Sequence, residues 1–155
     1  MIYLDYSATT PVLPEVLDSY NKVTNEYFGN PNSLHNLGVK SRELLNSATR
    51  QVSELLNIDV SEFSFTSGAT ESNNLAIFGV AYRYKNYGKH IIISSIEHTS
   101  ITAPVTKLQQ EGFSVSVLNV VNGHIDINEL KSLIRDDTIL VSITAVDSEV
   151  GCILN

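Results

Sequence analysis

Phe63-Ser64-Phe65-Thr66-Ser67-Gly68-Ala69-Thr70-Glu71 reads as a short strand, a glycine turn and the opening of a helix. The strand is expected over residues 63–66 and the helix over 71–87. The same alternation continues downstream. His90-Ile91-Ile92-Ile93-Ser94 is an apolar strand, and residues 100–111 form a helix with Pro104 near its start. Residues 113–121 read as a strand, followed by an Asn122-Gly123 turn. Asp126, with Glu129 three residues on, predicts a capping box for a helix over 127–134. Residues 138–143 are the fourth strand, whose Ile139-Leu140-Val141 run predicts burial on both faces. Four strands alternating with three helices describe an α/β domain on a mainly parallel sheet.

Upstream, residues 1–13 read as an extended arm containing the turn-rich Ser7-Ala8-Thr9-Thr10-Pro11. A helix is expected after Pro14, because Val16, Leu17, Tyr20, Val23 and Tyr27 recur at helical spacing. Phe28-Gly29-Asn30-Pro31-Asn32-Ser33 ends it with turn formers. A second helix is expected over 37–56, with Leu45, Ala48, Val52, Leu55 and Leu56 on one face. The chain runs only a few residues past its fourth strand, an ending that would leave apolar strand faces uncovered. It reads as an unfinished domain.

Composition narrows the classes. Of 155 residues, 43% are hydrophobic and 17% charged, which excludes a disordered chain. A net charge of −7 argues against a nucleic-acid or anionic-membrane surface. One cysteine excludes an internal disulfide framework and fits a reducing, cytoplasmic setting. No apolar run approaches the ~18 residues of a membrane span, and the N-terminus lacks the pattern of a signal peptide.

In open parallel sheets, ligands sit beyond the carboxyl ends of the strands. Three strand ends here are polar: Ser67 to Ser72, Ser95 to Thr99, and Thr144 to Glu149. One site fed by three strands is the economical reading. At the first, Gly68 permits a tight turn, so the Ala69 and Thr70 amides would point outward at the positive end of a helix. With the Ser67 and Thr70 hydroxyls they make a phosphate seat. The same residues also make a plain N-cap. His98 sits at a strand's carboxyl end, where it would stack on a planar ligand, carry protons, or be a satisfied structural histidine. His35, His90 and His124 have no metal-ligand spacing, so no metal is expected. Asp147 and Glu149 are either catalytic carboxylates or a solvated loop. Cys152 reads as a small buried residue rather than a nucleophile.

These residues carry a family resemblance. Leu4-Asp5-Tyr6-Ser7-Ala8-Thr9-Thr10-Pro11 resembles the N-terminal arm of cysteine desulfurases of the class V aminotransferase group. Gly29-Asn30-Pro31-Asn32-Ser33 is similar to their Gly-Asn-Pro-x-Ser turn, and residues 65–76 resemble their phosphate turn almost letter for letter. Glu97-His98, residues 136–142 and Glu149-Val150-Gly151 continue the match in order. The resemblance implies a fold-type-I architecture, with 14–155 as the first part of the large domain of a pyridoxal 5'-phosphate (PLP) dependent transferase, incomplete at its C-terminal end. It implies removal of sulfur from L-cysteine as a protein-bound persulfide, leaving alanine and supplying iron–sulfur cluster assembly or tRNA thiolation. By position, Ala69 and Thr70 would hold the cofactor phosphate and His98 would lie over its ring and move protons. Asn30 would sit near the substrate carboxylate.

Two departures from the family pattern stand out. Where the family has Asn-Asn-Glu before its glycine, this chain has Asp147-Ser148-Glu149, so Ser148 takes the place of an asparagine that bonds the cofactor's phenolic oxygen. Asp147 adds a charge there. The family chemistry also needs a Schiff-base lysine and a persulfide-forming cysteine. Lys22, Lys40, Lys85, Lys89, Lys107 and Lys131 all fall in expected helices or their ends. The resemblance therefore implies a C-terminal remainder, in cis or in trans, besides a sulfur-acceptor protein and a homodimeric partner. Another class V aminotransferase, a selenocysteine lyase, or a non-catalytic assembly module of the family are the alternatives.

Overall fold

The computed structural model describes residues 2–154; Met1 of the expected arm and the terminal Asn155 lie outside them. The chain divides into two compact units, Met1–Phe65 and Thr66–Asn155.

In the first unit, helix α1 spans Pro14–Glu26, with proline in the first turn, where a missing N–H costs nothing. None of its residues is buried, and Val16, Leu17, Tyr20 and Val23 are all exposed. The following turn is pinned by Asn30, whose Oδ1 accepts from the Asn32 amide at 2.9 Å. Its carbonyl accepts from Ser33 N, also at 2.9 Å. Gly29 and Gly38 let this turn close on the start of helix α2, Asn36–Leu56. A Cβ on Gly29 would lie 2.6 Å from the Leu37 carbonyl carbon, and one on Gly38 would lie 2.8 Å from Ser33 Cβ. α2 ends at Asn57 in the left-handed conformation, φ 53°. A 3-10 turn, Val60–Glu62, follows and carries a complete capping box between Asp59 and Glu62.

The strand expected over 63–66 does not form. Phe63 is extended, at φ −117° and ψ 135°, but extended backbone becomes a strand only when a ladder pairs it, and no described residue does so.

In the second unit, helix α3 (Ala69–Tyr84) precedes strand β1 (His90–Ser94), helix α4 (Thr99–Gln110) and strand β2 (Ser114–Leu118). The single strand expected over 113–121 breaks after Leu118. Its end becomes β3 (Val120–Val121), which turns through Asn122 (φ 52°) and Gly123 (φ 76°) into β4 (His124–Ile125). Helix α5 (Ile127–Leu133) and strand β5 (Thr138–Ser142) follow. β1 lies between β2 and β5, parallel to both, so the α/β fold with a parallel sheet stands with three strands. The register slips between His90 and Ile91, leaving Ile139 without a partner opposite.

The main hydrophobic cluster lies on one face of the sheet. Ile91 and Ile93 of β1 pack with Ile77 and Ala81 of α3, Val105 and Leu108 of α4, and Phe113. Burial on both faces belongs to central β1, buried along its whole length, rather than to β5. Ile139 and Leu140 pack against the core, but Val141 is 40% exposed because no described element covers that side of an edge strand. The box expected at Asp126 is only half made. Asp126 accepts from Asn128 N at 2.7 Å, whereas Glu129 turns to Asn119 Nδ2, also at 2.7 Å, and ties α5 to the end of β2.

Candidate functional site

The carboxyl ends of β1 and β5 open into a cavity of about 380 Å³ walled by residues 95–99, Thr144 and 146–150. This joins two of the three polar clusters. His98 and Ser148 both line it, and both are exposed. Ala69 and Thr70 do not line it, but they lie nearby through α3. Asn73, one turn inside that helix, donates from Nδ2 to Ser100 Oγ at 2.8 Å, and Ser100 is the second residue of α4. Two helix N-termini therefore meet beside the cavity, and both favour negative charge there.

At the start of α3, Gly68 provides no side-chain cap, and the Ala69 and Thr70 amides have no acceptor among the described residues. The Thr70 hydroxyl is exposed. Ser67 departs from expectation: its amide and hydroxyl both donate to Glu71 Oε2, at 2.7 and 2.6 Å, so neither is free for a phosphate. Those bonds, the hydroxyl's first, hold the Glu71 carboxyl below its ordinary pKa and keep a negative charge in the first turn. The donors left unengaged at this turn are two amides and the Thr70 hydroxyl.

His98 is the N-cap of α4, its Nδ1 accepting from Ser100 N at 3.1 Å. Asp147 shapes the opposite wall. Its Oδ1 accepts from Glu149 N at 3.0 Å and Val150 N at 2.6 Å, and Gly151 closes the turn at φ 70°. The Asp147 carboxylate thus serves its own loop, and the Ser148 hydroxyl is left without a partner among the described residues. Asn30 belongs to the other compact unit, where its Oδ1 is spent on its turn and its Nδ2 has no partner among the described residues. Cys152 is half-buried and lines an adjoining cavity with Val120 and Gly123, which shares Ile96 and Val150 with the first. None of the six lysines lines the cavity beside His98.

Sequence reasoning assigned no role to Glu97 and set His90 aside. Glu97 reaches across the strand ends: Oε1 accepts from Ser94 Oγ at 2.9 Å and Ser142 Oγ at 3.2 Å, and Oε2 from Thr144 Oγ1 at 2.9 Å. Hydroxyls ending two strands beside a carboxylate were the available signal. His90, fully buried at the opposite end of β1, bonds Thr138 Oγ1 and Ser116 Oγ, each at 2.8 Å. Burial, with the Arg135 charge adding to it, pushes its pKa below the ordinary histidine value.

Comparison with known proteins shows what the chain resembles. The aminotransferase class-V family model matches residues 2–155. The cysteine desulfurase IscS of Salmonella paratyphi C is 49% identical over 156 residues, covering 98% of this chain and 39% of its own. A solved NifS-like protein superposes with a TM-score of 0.94 at 36% identity, over 99% of this chain and 42% of that one. A structure described as SspA in complex with cysteine gives a TM-score of 0.89 at 35% identity, over 98% of this chain and 44% of that one. The chain spans about 40% of the length of the curated relatives it matches. No helix among the described residues is long and apolar enough to cross a membrane.

Proposed function

The chain belongs to the aminotransferase class-V family, and from that premise we propose that it is the amino-terminal part of a PLP-dependent cysteine desulfurase. The substrate is L-cysteine, the small product alanine, and the sulfur passes to an acceptor protein for iron–sulfur cluster assembly or tRNA thiolation. The relatives' names and the cysteine complex of a structural relative support that substrate class. One observation carries the reading: a cavity walled by His98 and Ser148 lies beside two helix N-termini, one of which has unengaged amides.

The donor set fits the cofactor. Two free amides and the Thr70 hydroxyl, at the positive end of α3, suit a phosphate dianion. An exposed imidazole on the rim suits a flat heteroaromatic ring, and about 380 Å³ falls within the range of small-molecule pockets. When bound, the cofactor supplies an electron sink for bond breaking at the amino acid. Ala69 and Thr70 would bind and orient it through its phosphate. His98 would lie against the ring and take part in proton transfer. Ser148 would donate its hydroxyl toward the phenolic oxygen. Two backbone amides offset the Asp147 charge, which softens its effect on that oxygen.

The lysine that would hold the cofactor covalently and the cysteine that would accept sulfur come from further sequence, in cis or from a second polypeptide. The assembled enzyme is a cytoplasmic homodimer. The test is alanine release from L-cysteine and PLP by this chain, with and without the C-terminal portion of a class-V relative. Alanine only in the mixture supports the reading. Alanine from this chain alone contradicts the need for a remainder, and none in either favours a non-catalytic assembly role.

A further inference from the structure

We infer that Asn73 and Ser100 are positioning residues that lock His98 in one tautomer, with Nδ1 bare and the proton on Nε2. The backbone N–H of Ser100 can only donate, and it points at His98 Nδ1 at 3.1 Å. Nδ1 must therefore present its lone pair. Ser100 Oγ lies 2.9 Å from the same nitrogen, so its hydroxyl also donates to Nδ1. That hydroxyl's lone pairs then face Asn73, whose Nδ2 donates to Ser100 Oγ at 2.8 Å. Direction is consistent along the whole chain: α3 amide, α4 hydroxyl, imidazole.

The surroundings hold this order in place. Ser100 is 7% exposed, so water competes weakly for its hydroxyl. The His98 carbonyl accepts from Ile101 N at 2.8 Å and Thr102 N at 3.1 Å, which fixes its backbone at the start of α4. A ring with Nδ1 engaged twice has one remaining polar atom, Nε2, and it carries a proton. His98 thus meets its ligand as a hydrogen-bond donor. That the ligand is a cofactor ring rests on the function proposed above; the tautomer does not.

The test is ¹⁵N NMR of the His98 ring in the full chain at alkaline pH, before any ligand is added. The expected spectrum has Nδ1 at the position of a bare ring nitrogen and Nε2 at that of a protonated one. Ser100→Ala removes one of the two donors and lowers the ratio of the two tautomers about tenfold, roughly 1.4 kcal/mol. Ser100→Thr restores it. Asn73→Asp replaces a donor with an acceptor of the same size, draws the Ser100 proton away from His98, and lowers the ratio likewise. Unchanged helical circular dichroism in Asn73→Asp separates this from loss of fold. A protonated Nδ1 in the wild type, or a ratio unmoved by both Ser100→Ala and Asn73→Asp, overturns the inference. PLP binding measured on the same samples is a separate outcome: an intact tautomer without binding refutes the cofactor reading alone.

Discussion

Removing the Glu97 carboxylate is expected to loosen the sheet edge that forms the cavity. Three hydroxyls point at it: Ser94 and Ser142 share Oε1, and Thr144 takes Oε2. Bonds to a charged acceptor contribute about 1.5–3 kcal/mol each, but three in one cluster do not add. In Glu97→Ala, the half-buried Ser142 and Thr144 regain water, while Ser94 is 1% exposed and bears the desolvation cost. Ser94 Oγ keeps one partner, the Thr144 amide at 3.3 Å. The net loss is about 2–3 kcal/mol, or roughly 4–12 °C in Tm for a chain of this size. Glu97→Gln keeps an oxygen for Ser94 and Ser142, and its new N–H₂ group donates to Thr144 once that hydroxyl rotates, so it costs only about 1 kcal/mol. Urea denaturation followed by circular dichroism measures both. If Glu97→Ala stays within about 0.5 kcal/mol of wild type, the carboxylate does not clasp the strand ends and the reasoning fails.

Other expectations follow from single sites. Thr70→Val removes a hydroxyl but leaves the amides, so PLP affinity by equilibrium dialysis should fall about tenfold; unchanged affinity counts against the phosphate seat. His90 has a folded-state pKa below its ordinary 6.5, so the unfolded chain binds more protons and stability falls as pH drops below that value. Urea midpoints from pH 8 to pH 5 should show this decline, and His90→Gln should flatten it. Gly79 lies in α3 with nothing within 4 Å of an added Cβ, so Gly79→Ala should stabilise by about 0.5–1 kcal/mol. An added Cβ on Gly88 would lie 2.6 Å from the Asp137 carbonyl carbon, so Gly88→Ala should destabilise by about 1–3 kcal/mol. Thermal melts of the two variants moving in the same direction would contradict that packing.

Local pattern carried most of the fold, and the exceptions have physical causes. β1 was legible to the residue because an apolar run between turn residues can be little else, and α2 was legible because its apolar positions recur over many turns. Residues 63–66 have strand composition, yet a strand is a property of a pair, and the partner is invisible in one segment's letters. The two-sided burial expected for β5 failed for a related reason, since strand order decides which apolar run becomes central. Resemblance and strand-end topology singled out His98 and Ser148, and the two line one cavity. Glu97, Asn73 and Ser100 were missed because their roles are bonds across 27 to 47 residues of sequence. Ser67 was misread as a free donor because Glu71, four residues on, claims both of its groups.

The most direct test is a crystal structure of this chain with PLP bound. The phosphate should accept from the Ala69 and Thr70 amides and the Thr70 hydroxyl, with the imidazole of His98 against the ring. A phosphate bound anywhere else, or a ring away from His98, would contradict the account.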